Sequence, residues 1–235
     1  MNTFKRYCSA FKRYTRSKGH GIHSPFAFNF VLKVLRERAQ YYAYDYIDTC
    51  RWEAICLASS KDKKCIISSK DARMIFRIAC YFSPNEILEI GSSYGITSTT
   101  LLHVSSTINL HLYPGAKHNV NIFDVTTKDF NQRIVKYDDI NNAIDSFHSL
   151  TNNCPFIVVN DIDPSIRTST FNAIATVLQN GGVAIFTQLN HCKIMKQCWD
   201  EIRSSMQHGM SFTNEKMGII VAKQHLPLQH FSLWF

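Results

Sequence analysis

Residues 87–102 read Ile87-Leu88-Glu89-Ile90-Gly91-Ser92-Ser93-Tyr94-Gly95-Ile96-Thr97-Ser98-Thr99-Thr100-Leu101-Leu102, an apolar run, a glycine-bounded loop and a second apolar run. The first run, taken from Glu86 to Ile90, has the length of a buried strand, and a helix is expected near 97–104. Gly91 allows a sharp turn, and Gly95 allows a ligand or a helix close to the backbone. Free amides at the start of the following helix suit a carboxylate or a phosphate. A plain strand-to-helix turn would use the same glycines. The strand, Glu89 and the helix agree, which favours ligand binding.

Working outward, apolar runs at 86–90, 108–113, 133–137, 156–160 and 182–187 alternate with helical stretches near 97–104, 141–150, 165–179 and 193–207. That alternation predicts a parallel sheet with crossover helices, an α/β Rossmann-like fold. The tail departs from it. Ser211-Phe212-Thr213 and Gly218 to Lys223, joined across Asn214-Glu215-Lys216, predict a terminal antiparallel hairpin. In an open parallel sheet, ligands sit beyond the carboxyl ends of the strands, so the 91–95 loop is on the binding side.

Upstream of Ser83-Pro84 the character is helical. Phe4, Tyr7, Phe11 and Tyr14 recur at helical spacing with cations between them. Gly19 to Pro25 is a break, after which Ser24 can cap a helix with Pro25 in its first position. Further helices are expected over Tyr46 to Leu57 and Asp71 to Tyr81, separated by the polar loop at 59–64. The division predicted is a helical cap with a basic arm over 1–82, lying across the ligand-bearing edge, and a Rossmann-like domain over 83–235.

Of 26 basic residues, six fall in the first 18, leaving 20 against 18 acidic residues on a nearly neutral body. The arm at 4–18 could dock on its own domain, lie on an anionic membrane surface or touch nucleic acid. No apolar run approaches the length needed to cross a bilayer, and no apolar segment after the basic start suggests a secretory signal. The eight cysteines, at 8, 50, 56, 65, 80, 154, 192 and 198, form no CxxC pair. Reduced thiols in a cytoplasmic protein are expected.

The segment ILEIGSSYGITSTTLL resembles motif I of class I S-adenosylmethionine-dependent methyltransferases, in particular a bacterial O-methyltransferase-like branch. LQNGGVAIF (178–186) resembles the segment leading into strand five of that fold, MGIIVAKQ (217–224) its last strand, and KGHGIHSPFAF (18–28) a segment preceding the fold in some bacterial members. The resemblance implies S-adenosylmethionine as cofactor, cradled by Gly91, Ser92, Ser93, Tyr94 and Gly95, with Glu89 supporting the loop and Asn160 beside it. It also implies an acidic residue at the end of strand two. Tyr113-Pro114-Gly115 stands there instead, and Asp124 would serve only if Val120 to Asp124 were the strand.

Metal-dependent relatives carry acidic ligands where this chain has Asn160, Thr187 and Gln188. A hard cation needs charged oxygens, so a metal-independent reaction is expected. Asp161, just past strand four, and His191, past strand five, are the candidate general bases, with Asp163 expected to cap the next helix. His20 and His23 flank the early break and could bind metal, accept a proton or hold the turn. Three functions follow: methyl transfer to an oxygen or nitrogen of a small or lipid-like acceptor, a catalytically degenerate binding or partner protein, or a nucleic-acid methyltransferase using its arm.

Overall fold

Period-two alternation in the short apolar strands sorts their side chains onto two faces, and each face finds its own helical layer. The structure, a computed structural model, describes residues 13–115, 118–150, 154–179 and 181–235. Its eight strands are β1 (Glu86–Ile90), β2 (Asn109–Tyr113), β3 (Ile134–Lys136), β4 (Phe156–Val159), β5 (Val183–Phe186), β6 (Met210–Thr213), β7 (Gly218–Val221) and β8 (Gln229–Ser232). They form one sheet in the order β3-β2-β1-β4-β5-β7-β6-β8. Among them β7 alone runs against the others.

On one face Leu88, Ile90, Ile157, Val159 and Phe186 pack with α6 (Ile140–Leu150), α7 (Arg167–Gln179) and α8 (Lys193–Ser205). On the other, Ile87, Leu110, Phe156, Val158 and Ile185 pack with α1 (Pro25–Phe30), α2 (Ala43–Leu57), α3 (Ser69–Phe82) and α4 (Ile96–Leu102). Each fully buried apolar side chain contributes about 1.5–3 kcal/mol, so both layers matter to stability. The helical residues before Ser83 share this core with the sheet; they supply much of its second helical layer.

Local signals set the helix ends. Ser24 caps α1 by accepting from the Ala27 amide, with Pro25 at the first position. Ser68 caps α3, which stops at left-handed Ser83 before Pro84. Asp163 accepts from the Ser165 amide and caps the turn leading into α7, as expected.

Two elements depart from the sequence reading. Val120–Thr127 is a helix, α5, and not a strand through Asp124: Asn119 caps it, and Ile122, Phe123, Thr126 and Thr127 are buried at helical spacing. Asp124 therefore ion-pairs with Lys136 on the surface, 3.2 Å away, and cannot stand at the end of strand two. The second departure is β8, a strand the sequence did not announce, which extends the terminal hairpin by pairing in parallel with β6.

The described part of the basic arm is docked. Arg13 pairs with Glu215 and donates to the carbonyl of Asn214, while Tyr14 meets Trp234 edge-on at 6.4 Å. The rest of the arm, through residue 12, lies outside the described residues.

Candidate active site

The carboxyl ends of β1, β4 and β5 meet at one buried hydrogen-bonded group. Glu89 is fully buried, and its carboxylate accepts from Ser98 Oγ at 2.5 Å and Asn160 Nδ2 at 2.8 Å. Burial pushes its pKa up to about 8, against the pull of those two donors. Asn160 Nδ2 also donates to the Gly91 carbonyl, and Asn160 Oδ1 accepts from Thr97 and Thr187 hydroxyls. Both halves of the amide are thus engaged within the protein. Asn160 is a bracket joining three strand ends.

The loop itself winds left-handed. Gly91, Ser93, Tyr94 and Gly95 all have positive φ. A Cβ on Gly91 would come within 2.6 Å of the Asp161 amide nitrogen, so Gly91 lets strand four's exit approach. Gly95 has a different neighbour: a Cβ there would collide with the Thr126 hydroxyl on α5. Of the two openings the sequence offered for Gly95, the structure fills it with a helix. Three of the loop amides are also spent, Gly91 and Ser92 on the carbonyls of Tyr113 and Pro114, and Gly95 on Ser92.

Ser92, Ser93, Tyr94, Asn160 and Asp161 border a common space of only about 20 Å³. That is room for about one water. Above it lies the loop at 59–67. The Tyr94 hydroxyl donates to Asp62 at 3.0 Å, and Gln188 Nε2 donates to the Cys65 carbonyl at 3.1 Å. Burial and the Asp62 carboxylate hold the Tyr94 phenol well above its ordinary pKa, so it stays a donor. Asp62, held below the usual carboxylate range by Ser59 and then by Tyr94, stays an acceptor. Ser93, Tyr94 and Gln188 are three non-glycine residues with positive φ, all facing this seal; such strain gathers at functional positions.

On the far side of the Gln188–Cys65 bond is a larger cavity of about 220 Å³, lined by Ser68, Asp71, Thr187, His191 and Lys216 among others. His191 is exposed at its rim. Asp161 and His191 therefore border different cavities, and only Cys65 and Gln188 border both. The sequence reading missed Asp62 and Cys65, and named Gln188 only as an absent metal ligand. The cue that was available for the seal was the polar loop at 59–64 alone. His20 and His23 are exposed and line neither cavity. Among the described residues no group of three or more His, Cys, Asp or Glu is gathered in one place.

No family model matches the sequence, and no curated protein matches it. Solved structures do. The SAH-bound methyltransferase PaMTH1 of Podospora anserina superposes with a TM-score of 0.58 at 11% identity, covering 85% of this chain and 96% of that one. An O-methyltransferase from Bacillus cereus in complex with SAH gives 0.52 at 14% identity over 82% and 96%. A methyltransferase from Geobacter sulfurreducens gives 0.53 at 10% over 86% and 98%. The fold is the class I methyltransferase fold. Among the described residues no helix is long and apolar enough to cross a membrane.

Proposed function

We propose that this chain is an S-adenosylmethionine-dependent, metal-independent methyltransferase acting on an oxygen or nitrogen of a small or lipid-like acceptor. The observation that carries the reading is the left-handed 91–95 loop at the end of β1, backed by the buried Glu89–Asn160 pair, in a sheet of this order. Two features suit the amino-acid end of such a cofactor. Ser93 Oγ is buried without a hydrogen-bond partner, and Glu89 is a buried carboxyl whose ionised form a neighbouring ammonium would favour. The adenosine end fits only if the loop at 59–67 moves, because the enclosed space is far too small.

The bound cofactor would supply an electrophilic methyl group. The chain's own part is alignment and proton removal. His191 lines the 220 Å³ cavity, the natural place for an acceptor, and an imidazole nitrogen there can take the acceptor's proton. Asp161, against the Gly91 backbone, is closer to the cofactor loop. Asn160, Thr187 and Gln188 offer no charged oxygen, which supports chemistry without a divalent cation. The described cysteines are all free, which fits a reducing cytoplasmic setting.

The sealed loop favours a second reading, a binding protein on a methyltransferase scaffold. Calorimetric titration with S-adenosylmethionine and S-adenosylhomocysteine separates the two. Saturable heat that Ser93→Ala weakens supports the enzyme. No heat at about millimolar ligand, a Kd weaker than about −4 kcal/mol of binding, favours the scaffold.

A further inference from the structure

A further cavity, of about 830 Å³, lies away from the glycine loop and shares no residue with it. It opens between residues 14–17, the segment 35–40, one face of α3 and the C-terminal pair Trp234-Phe235. Its volume is in the range of small-molecule sites. Five cations line it: Arg36, Arg38, Lys70, Arg73 and Arg77. Arg73 is in an ion pair with Asp48, and Lys70 stands 2.8 Å from an oxygen of the last residue, Phe235. Arg36 donates to the Ser17 carbonyl, Lys70 to the Phe235 main-chain oxygen, and Arg77 to the Val34 carbonyl and the Tyr44 hydroxyl. The nearby acid, Glu37, accepts from the amides of Arg38 and Ala39 at 2.7 and 2.8 Å. Subtracting Glu37, the Asp48 that balances Arg73 and the carboxylate of the last residue, Phe235, leaves a charge of about +2 facing one space.

The walls are not only charged. Tyr14 and Trp234 stand at the mouth, 46% and 58% exposed, and Tyr44, Leu35 and Met74 lie among the lining residues. The Arg73 guanidinium sits 4.7 Å from the centre of the Tyr44 ring, and its Nε is buried without a hydrogen-bond partner. A π-helical turn, Val31–Leu35, closed by the Arg36 amide on the Val31 carbonyl, delivers the 36–40 loop to this place. Single π turns inside helices are frequent at functional sites.

We propose that this cavity is a binding site for a small amphiphilic phosphate, a phosphate monoester bearing an aryl or alkyl group. A monoester carries about −1.5 to −2 at neutral pH and balances the cations better than a carboxylate. Planar guanidinium forks match phosphate oxygens, and the aromatic mouth accepts the apolar part. The ester could be a free metabolite or a lipid headgroup; the chemistry is shared.

The test titrates the full chain with phenyl phosphate, inorganic phosphate and benzyl alcohol, and sediments it with vesicles of phosphatidic acid in phosphatidylcholine. Phenyl phosphate should bind saturably and about tenfold or more tighter than either fragment. Exposed Arg38→Gln should weaken it several-fold at an unchanged melting midpoint, and Arg38→Gln with Lys70→Gln by about tenfold or more. Vesicle binding lost in the same variants identifies a lipid headgroup, whereas soluble binding without vesicle binding identifies a free ester. Absence of saturable heat, equal affinity for inorganic phosphate, or a double variant that binds like the parent would each overturn the site.

Discussion

The loop at 91–95 and the cavity around Arg73 are opposites. The first is the most legible motif of the sequence, and it is closed to about 20 Å³; the second has no motif, and it opens to about 830 Å³. The loop is local. One strand, one turn and one helix build it, so its residues are neighbours in the chain. The cavity is assembled from four distant segments, and nothing in any one of them announces it. The difference teaches that a motif reports backbone geometry reliably and reports free space poorly.

That contrast can be broken most sharply at Gly95. Its backbone is left-handed and its missing Cβ is the seat of Thr126. Gly95→Val should therefore destabilise the whole domain, by about 3–5 kcal/mol from overpacking and backbone strain together. Urea denaturation checks this. A fully stable Gly95→Val variant would mean that the loop has free space after all.

Next comes the bracket. Asn160→Ala strands the Glu89 carboxylate, the Gly91 carbonyl and two threonine hydroxyls, and should cost about 2–4 kcal/mol. The same melting experiment in the 830 Å³ cavity, with Arg38→Gln, should move stability by less than about 0.5 kcal/mol. Comparable losses at the two places would erase the distinction between a packed site and an open one.

Glu89 gives the contrast a pH signature. Its folded pKa, about 8, lies above its unfolded value of 4.5, so its contribution is fully present below 4.5 and is lost as pH rises through 8. Between these limits stability should fall by about 1.4 kcal/mol per pH unit at most. Glu89→Gln keeps the shape and should flatten that slope. An unchanged slope in Glu89→Gln would assign it to another group.

A smaller effect tests the seal. Tyr94→Phe removes the hydrogen bond to Asp62, worth about 1 kcal/mol net, and should tighten S-adenosylhomocysteine binding about fivefold while speeding proteolysis at 59–67. Weaker binding would make the Tyr94 hydroxyl part of the ligand site. The smallest effect is at the arm. A chain beginning at Arg13 drops the cations Lys5, Arg6 and Lys12 while keeping the docked contacts of Arg13, Tyr14 and Ser17, and should shift stability by no more than about 0.5 kcal/mol. On anionic vesicles and on RNA it is compared with the full chain: a salt-sensitive difference on one surface identifies the arm's partner, and equal behaviour on both leaves docking as its role.

Much of the fold was readable because its strands are short, apolar and separated by helices of the right length. The strand expected over 108–113 is there as β2, and Val120 to Asp124, offered as a strand only on condition that Asp124 closed strand two, is instead part of a helix the sequence reading did not name. Only burial of Ile122, Phe123, Thr126 and Thr127 on one side shows the helical period. β8 escaped because Gln229–Ser232 has mixed polarity, and it becomes a strand only when β6 is already in place beside it. At the candidate site, Glu89, Asn160 and the glycines were legible as a set. Their internal saturation was not.

The sequence by itself determined the alternation behind the parallel sheet and the glycine-bounded turn after β1, since these follow from apolar period, helix caps and glycine placement over a few residues. Tertiary structure decided which groups remain available for a ligand. Gln188 and Cys65 are 123 residues apart, and their hydrogen bond closes the loop. Arg77 and Val34 are 43 apart, and theirs holds one wall of the open cavity. Neither contact has a local signature, because each depends on how two layers of helices are set against one sheet.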